Sequence, residues 1–352
     1  MPKLPRTTKA AILVKLGRPL VVAEVELPEV LGVGQVLVNV HYSGICGSQL
    51  GEIDGIKGED RFLPHLLGHE GSGTVLAVGP GVRHVAPGDT VVLHWRRGRG
   101  IESEVPTYKW GDREVNAGCV TTFNEFAVVS ENRCTPIPPD SDLQVATLFG
   151  CAVTTGFGVV ENNARLRLGE SIVVLGAGGI GLSIVQAASL VSAHPIIAVD
   201  LHENRLSLAR DMGATHLVNA SVADVRAELE SITGSDGVDV AVDNTGLPEM
   251  IQLGYRITTP AGRVVLVGVP RIGDDIELHS LPLHFGKQLC GSHGGNGDPH
   301  VDIPRYHGLY RSGRIRLREL ITDIVGLDDI NDVIRKMRSG DVSGRCMVSF
   351  DD

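Results

Sequence analysis

The sequence predicts an α/β protein in which a β-rich domain is interrupted by a doubly wound parallel sheet with helices on both faces. Three observations carry this expectation. Residues 9 to about 129 are short β-branched runs punctuated by glycine and proline, and after residue 143 apolar strands alternate with helical stretches. Past residue 290 the texture returns to glycine-rich loop, helix and a final strand. At 352 residues the chain can hold two domains with separate cores. The expected division is 1–152 and 294–352 as one domain around 153–293 as the other.

The elements follow in order. Strands are expected at AAILV, LVVAEVEL, QVLVNVHYSG, GSGTVLAVG, DTVVLHW and NEFAVV. The middle region reads as strand SIVVLG, helix GIGLSIVQAASLVSA, strand PIIAVD, helix ENRLSLARDMGA and strand HLVNA. Two more strands, VDVAVDNTG and GRVVLVGVP, flank a helical stretch, which completes the rhythm of a parallel sheet. Helices around VDIPRYHGLYRSG and DDINDVIRKMRSG, then strand CMVSF, close the chain.

Composition bounds the function. An apolar fraction of 42% with 21% charged residues is that of a globular protein, and a formal charge of −10 weighs against nucleic acid as a partner. Small molecules are the expected partners. The amino-terminal MPKLPRTTKAAILVKLG has no signal-peptide apolar core, and no run approaches membrane-span length, so a cytoplasmic protein with no membrane partner is expected. The six cysteines show no CxxC spacing and read as buried thiols or isolated metal ligands.

GAGGIG supplies Gly176, Gly178, Gly179, Ile180 and Gly181 between the strand SIVVL and a helix. In that context the first glycine makes a tight turn, the second admits backbone to a pyrophosphate, and the third allows close helix packing. The helix start then offers free amides to phosphate. Asp200 ends the next strand, where a carboxylate accepts ribose hydroxyls and repels a 2′-phosphate, so NAD is expected over NADP. Arg205 is the residue that would instead meet such a phosphate. A tight turn with a helix cap is the plainer reading of the same residues.

Three separated segments carry zinc-compatible chemistry: Cys46 in SGICGSQLG, His69 and Glu70 in LLGHEGSG, and Cys151 in FGCAVTTGFG. Singly, each is equally a buried thiol or a core histidine. Two thiolates and one imidazole leave a fourth tetrahedral position open, as Lewis-acid catalysis requires.

The order GICGS, GHEGSGTVLAVGPGV, GDTVV, GCAVTTGFGVV, GAGGIG resembles the zinc-dependent medium-chain alcohol dehydrogenase family from about residue 9 to the carboxyl end. The resemblance implies a GroES-like catalytic domain with a Rossmann domain, NAD, and a homodimer or homotetramer. It implies one catalytic zinc on Cys46, His69 and Cys151, with Glu70 as an alternative ligand and Ser48 at the start of a proton relay. Thr155, Gly268 and Val269 would lie at the nicotinamide and Arg345 at the pyrophosphate. Trp95 and Phe123 fall at positions lining the substrate channel.

The sequence departs from the family three times. Gln49 stands where an aspartate commonly orients a zinc-bound histidine, which implies differently tuned zinc. Gly51 stands where many members continue the relay with histidine. The stretch HWRRGRGIESEVPTYKWGDREVNAGC has one cysteine, Cys119, where most members carry four, so no structural zinc is expected. Its Arg96, Arg97 and Arg99 beside His94 and Trp95 suggest a polar or anionic substrate, unless Glu102, Glu104 and Asp112 balance them in a solvated loop. The expected function is hydride transfer between NAD and a primary or secondary alcohol or polyol, or the matching carbonyl. The alternatives are a zinc-free quinone or enone reductase and a non-catalytic dinucleotide-binding protein.

Overall fold

The computed structural model describes residues 4–350, so the amino-terminal reading, where it concerns residues 1–3, lies outside the described residues. Two compact units divide the chain, one of residues 1–151 with 298–352 and one of residues 152–297. These limits differ from the expected ones by one residue at the first junction and four at the second.

The first unit opens with strands β1 (Thr7–Leu13), β2 (Val21–Glu26) and β3 (Gln35–Ile45), then helix α1 (Gly47–Asp54). Next come β4 (His65–Leu66), β5 (Glu70–Val78), β6 (Thr90–His94), β7 (Thr107–Trp110), β8 (Arg113–Asn116), β9 (Phe126–Ser130), β10 (Cys134–Pro136) and helix α2 (Leu143–Leu148). α1 is absent from the sequence reading, because GSQLGEID carries two glycines and no apolar period. The β7–β8 hairpin is a second correction: a segment expected to be loop alternates as TYKW and REVN about Gly111, whose φ of 59° suits a tight turn.

The second unit begins with α3 (Ala152–Gly158) and builds a parallel sheet from β11 (Ile172–Leu175), β12 (Ile196–Asp200), β13 (His216–Asn219), β14 (Val238–Asp243), β15 (Thr258–Leu266) and β16 (Gln288–Gly291). Spatial order is β13-β12-β11-β14-β15-β16. Helices α4 (Gly179–Leu190), α5 (Glu203–Asp211), α6 (Val225–Thr233), α7 (Pro248–Ile257) and α8 (Leu281–His284) lie between strands in sequence. The order reverses between β11 and β14, the kind of switch point at which such sheets bind ligands. β11 is buried throughout, as a central strand covered on both faces must be.

The chain returns to the first unit with α9 (Pro299–Arg311), β17 (Ile321–Gly326), α10 (Ile330–Ser339) and β18 (Arg345–Ser349). There β1-β2-β7-β8-β4 close a barrel, while a seven-stranded sheet runs β10-β6-β5-β3-β18-β17 with β9 also on β3. Two registers position side chains that carry chemistry. Glu70 opposes His94, so the flanking His69 and Trp95 become neighbours, and Cys346 opposes Ile45, which sets Arg345 beside the end of β3. Leu13, Ile45, Ile53, Leu67, Ile330 and Val348 form one of this unit's cores, into which α10 closes with its Ile330, Val333 and Ile334.

Candidate active site

Cys46 is the N-cap of α1, His69 directly precedes β5, and Cys151 follows α2. Their donor atoms lie within 4.8 Å of one another, and both cysteines are buried. A tetrahedral zinc with Zn–S of about 2.3 Å needs sulfurs about 3.8 Å apart, so the cluster closes on an ion with a shift of under about 1 Å. The donor set therefore fits zinc. The paired thiols also titrate together: a hydrogen bond from Cys151 and the charge of Arg345 hold Cys46 well below the usual thiol range, while that hydrogen bond and burial hold Cys151 well above it. One thiolate is thus already favoured beside a guanidinium.

Glu70, expected as an alternative ligand, is paired with Arg345. It is fully buried, and Arg345 grips it with Nε at 2.7 Å and Nη2 at 2.9 Å, both groups 5% exposed or less. It stands outside the ligand cluster, because a buried carboxylate gains more from a bidentate guanidinium than from facing two thiols. The same contact gives Arg345 a partner within its own unit that the pyrophosphate expectation did not contain. Room for the pair comes from Gly44, where an added Cβ would stand 1.9 Å from Glu70 Oε1.

Gln49 is 1% exposed and touches two ligand-bearing residues. Its Oε1 accepts from the Cys46 N–H at 2.8 Å, and its Nε2 meets His69 Nδ1. Ser48, one residue earlier on the first turn of α1, is exposed.

Trp95 is half-buried, edge-on to the His69 ring at 6.5 Å, and Arg96 lies over its face at 5.8 Å. The other charges divide differently. Arg97 forks onto Glu102 at 2.6 and 2.8 Å, and Arg133 joins the same carboxylate at 2.9 Å. Glu131 accepts backbone N–H groups of Arg83, His84 and Ile101, which pins this lobe with a carboxylate. His94 donates from Nδ1 to Arg96 O and accepts at Nε2 from Thr135 Oγ1, and burial pushes it down to about 4. It is a neutral pin for the loop. Phe123, expected along a channel, is instead fully buried among Leu13, Ile45 and Leu67. The alternation of TTFNEF turns its ring into the core.

In the second unit the glycine loop behaves as its spacing suggests. Gly176 has φ 94°, and a Cβ on Gly181 would stand 2.1 Å from Gly176 O, so helix packing forbids one there. A Cβ on Gly178 would meet nothing. Packing does not explain that glycine, and the open space above the start of α4 fits a dinucleotide phosphate. Gly179 and Ile180 make the first turn of α4. Asp200 is buried, accepting from Ala177 N at 2.8 Å and His202 N at 3.0 Å, with Arg205 3.7 Å away. Thr155 is buried on α3, Val269 is exposed, and Gly268 packs on Gly246, where a Cβ would come to 2.2 Å.

Sequence reasoning missed Asp243, which accepts from Thr245 N, Thr245 Oγ1 and Gly246 N and shapes the turn after β14. Burial raises its pKa above the usual carboxylate range. The signal was the strand-ending DNTG. Asn244 beside it carries a buried Oδ1 without a hydrogen-bond partner among the described residues.

Known proteins match along the whole chain. Residues 32–139 match the family described as alcohol dehydrogenase GroES-like domain, and residues 179–309 match zinc-binding dehydrogenase. The chain is 31% identical to "Alcohol dehydrogenase class-3" of Cereibacter sphaeroides over 97% of its own length and 100% of that protein. It is 30% identical to the S-(hydroxymethyl)glutathione dehydrogenase of Paracoccus denitrificans over 95% and 97%. The crystal structure of benzyl alcohol dehydrogenase from Acinetobacter calcoaceticus is similar with a TM-score of 0.88 at 28% identity, covering 99% of this chain and 100% of that one.

Proposed function

The chain belongs to the zinc-type medium-chain alcohol dehydrogenase family, and from that premise we propose that Cys46, His69 and Cys151 hold its catalytic zinc and that NAD is its hydride carrier. It is a zinc-dependent oxidoreductase acting on alcohols or their carbonyl counterparts. The single observation that carries the ligand assignment is the convergence of two buried thiols and one imidazole within 4.8 Å. A zinc-free reductase would have no use for that convergence.

When bound, zinc supplies Lewis-acid polarisation of the substrate oxygen. The chain's own residues do the rest. Ser48 Oγ, exposed on the first turn of α1, accepts the hydroxyl proton and passes it to solvent, since Gly51 offers no imidazole to relay it. Trp95, edge-on to His69, walls the substrate side with an apolar face. Arg345 engages both carboxylate oxygens of Glu70, so Glu70 would not compete with substrate for an ion held by Cys46, His69 and Cys151. In the second unit the open face of Gly178 and the start of α4 receive the pyrophosphate, and Asp200 receives the adenosine ribose, which favours NAD over NADP.

Substrate class is read from the lobe. Arg97 is committed to Glu102 and the Trp95 ring stands beside His69, so a compact apolar or aromatic alcohol is the better-supported substrate than a multiply charged adduct. A single zinc per chain is proposed, as carboxylates of Glu102 and Glu131 organise the region that would otherwise need a second. Six cysteines outside any disulfide suit a reducing, cytoplasmic setting. A homo-oligomer is supported by β16 at the open edge of its sheet with Leu281, Leu283 and Phe285 exposed nearby in sequence.

The test is a panel of aliphatic, aromatic, polyol and phosphorylated alcohols with NAD, followed by NADH absorbance. Turnover highest on an aromatic or aliphatic alcohol is expected. Preference for a phosphorylated alcohol, lost in Arg96→Ala, would overturn the substrate reading.

A further inference from the structure

Gln49 differs from an ordinary buried amide in what its two ends touch. The residue is 1% exposed, so no bulk water compensates either end, and the roles of its atoms follow from its partners. The Cys46 backbone N–H can only donate, so the atom 2.8 Å from it is the carbonyl Oε1. The other end is then NH2, which can only donate, and it faces His69 Nδ1. His69 must therefore accept at Nδ1.

A neutral imidazole that accepts at Nδ1 carries its proton on Nε2. Nε2 is the nitrogen left for a metal, because Nδ1 is engaged by Gln49. Ligation needs Nε2 bare, and the ring's proton then belongs on Nδ1, where it would meet the NH2 of Gln49, donor against donor. A carboxylate in this place would have no such conflict, since both its oxygens accept. The amide can resolve it only by turning over, so that Oε1 accepts from Nδ1–H and the Cys46 N–H at the start of α1 loses its acceptor.

We propose that Gln49 sets the metal affinity of the site: its amide holds His69 in the tautomer that does not ligate, and it turns over at the expense of the Cys46 cap when zinc binds. This rests on the reading of Cys46, His69 and Cys151 as the zinc ligands. Gln49 is a positioning residue here, acting on the ion through the imidazole. Loading of the site is thereby coupled to a backbone contact at α1, and the ion is held less tightly than three such ligands otherwise allow.

The test starts from zinc-loaded protein titrated with a chelator of known zinc affinity, in the wild type and in Gln49→Glu. Glutamate keeps the length and the contact to Cys46 and places an acceptor at both ends. Zinc bound on the order of ten-fold more tightly by Gln49→Glu is expected, and equal or weaker binding overturns the proposal. Added charge alone would also tighten zinc, so the second readout needs no variant: the 15N spectrum of His69 in the wild type, zinc-free and zinc-loaded. Nδ1 bare without zinc and protonated with it is expected. Nδ1 protonated in both states overturns the tautomer switch. Failure of both proteins to take up zinc would instead overturn the ligand assignment and this proposal with it, an outcome distinct from equal affinity.

Discussion

Replacing Arg345 with methionine removes one member of a buried charge pair and leaves the other where it stands. Glu70 is fully enclosed, and Arg345 supplies the two hydrogen bonds that hold its carboxylate, at 2.7 and 2.9 Å. Breaking such a pair by removing one partner costs about 3–5 kcal/mol, most of it from the stranded charge. The unit that contains both residues has roughly two hundred residues, a size for which each kcal/mol lowers the melting temperature by about 2–4 °C, so a fall of about 10 °C is expected. The assay is a calorimetric or circular-dichroism melt of wild type, Arg345→Met, Glu70→Gln and the double variant. The double variant has no stranded charge, and it should recover most of the loss that Arg345→Met causes. A melt of Arg345→Met within about 2 °C of wild type, or a double variant as unstable as the two single losses summed, would refute the reasoning.

Asp200→Gly frees the Ala177 and His202 amides and leaves Arg205 without its neighbour, so the NADP-to-NAD ratio of kcat/KM should rise about ten-fold or more; an unchanged ratio would remove Asp200 from the ribose. Acid should destabilise the first unit through His94. Its folded value of about 4 lies below the unfolded 6.5, so the unfolded chain takes the proton first, and stability is lost as pH falls from about 6.5 to about 4. The loss is about 3 kcal/mol at most, and denaturant midpoints of His94→Gln should show a shallower acid slope than wild type. Phe123→Ala should cost about 3–5 kcal/mol of stability as a core truncation, whereas Arg97→Ala should leave KM unchanged because Glu102 already occupies its fork. A KM shift from Arg97→Ala would return that arginine to the substrate.

What was legible in the sequence was local or strongly periodic. The glycine loop, Asp200 and the strands of the second unit could be read directly, because a turn, a helix start and an apolar run each leave a mark within a few residues. Cys46, His69 and Cys151 were legible only through family resemblance, since three distant segments supply them and no spacing rule joins distant loops. The Glu70–Arg345 pair spans 275 positions and exists because β18 returns to β3, a pairing that no local pattern announces. Gln49 stands out in the sequence as a departure, yet its consequence lies in orientation: which end meets Cys46 depends on a backbone amide, not on composition. Phe123 and the β7–β8 hairpin escape a sequence reading for a shared reason. Short alternating segments beside glycines and charges reveal which face is buried only once their partners are known.

The most direct test of the central claim is the zinc content of purified protein, measured by elemental analysis beside that of Cys46→Ser, with NADH binding followed by fluorescence in both. One zinc per chain in the wild type, next to none in the variant, and NADH affinity preserved in both is the predicted result, because the thiol ligands and the glycine loop belong to different units. Zinc retained by Cys46→Ser, or a wild type that turns over alcohols at full rate without zinc, would contradict it.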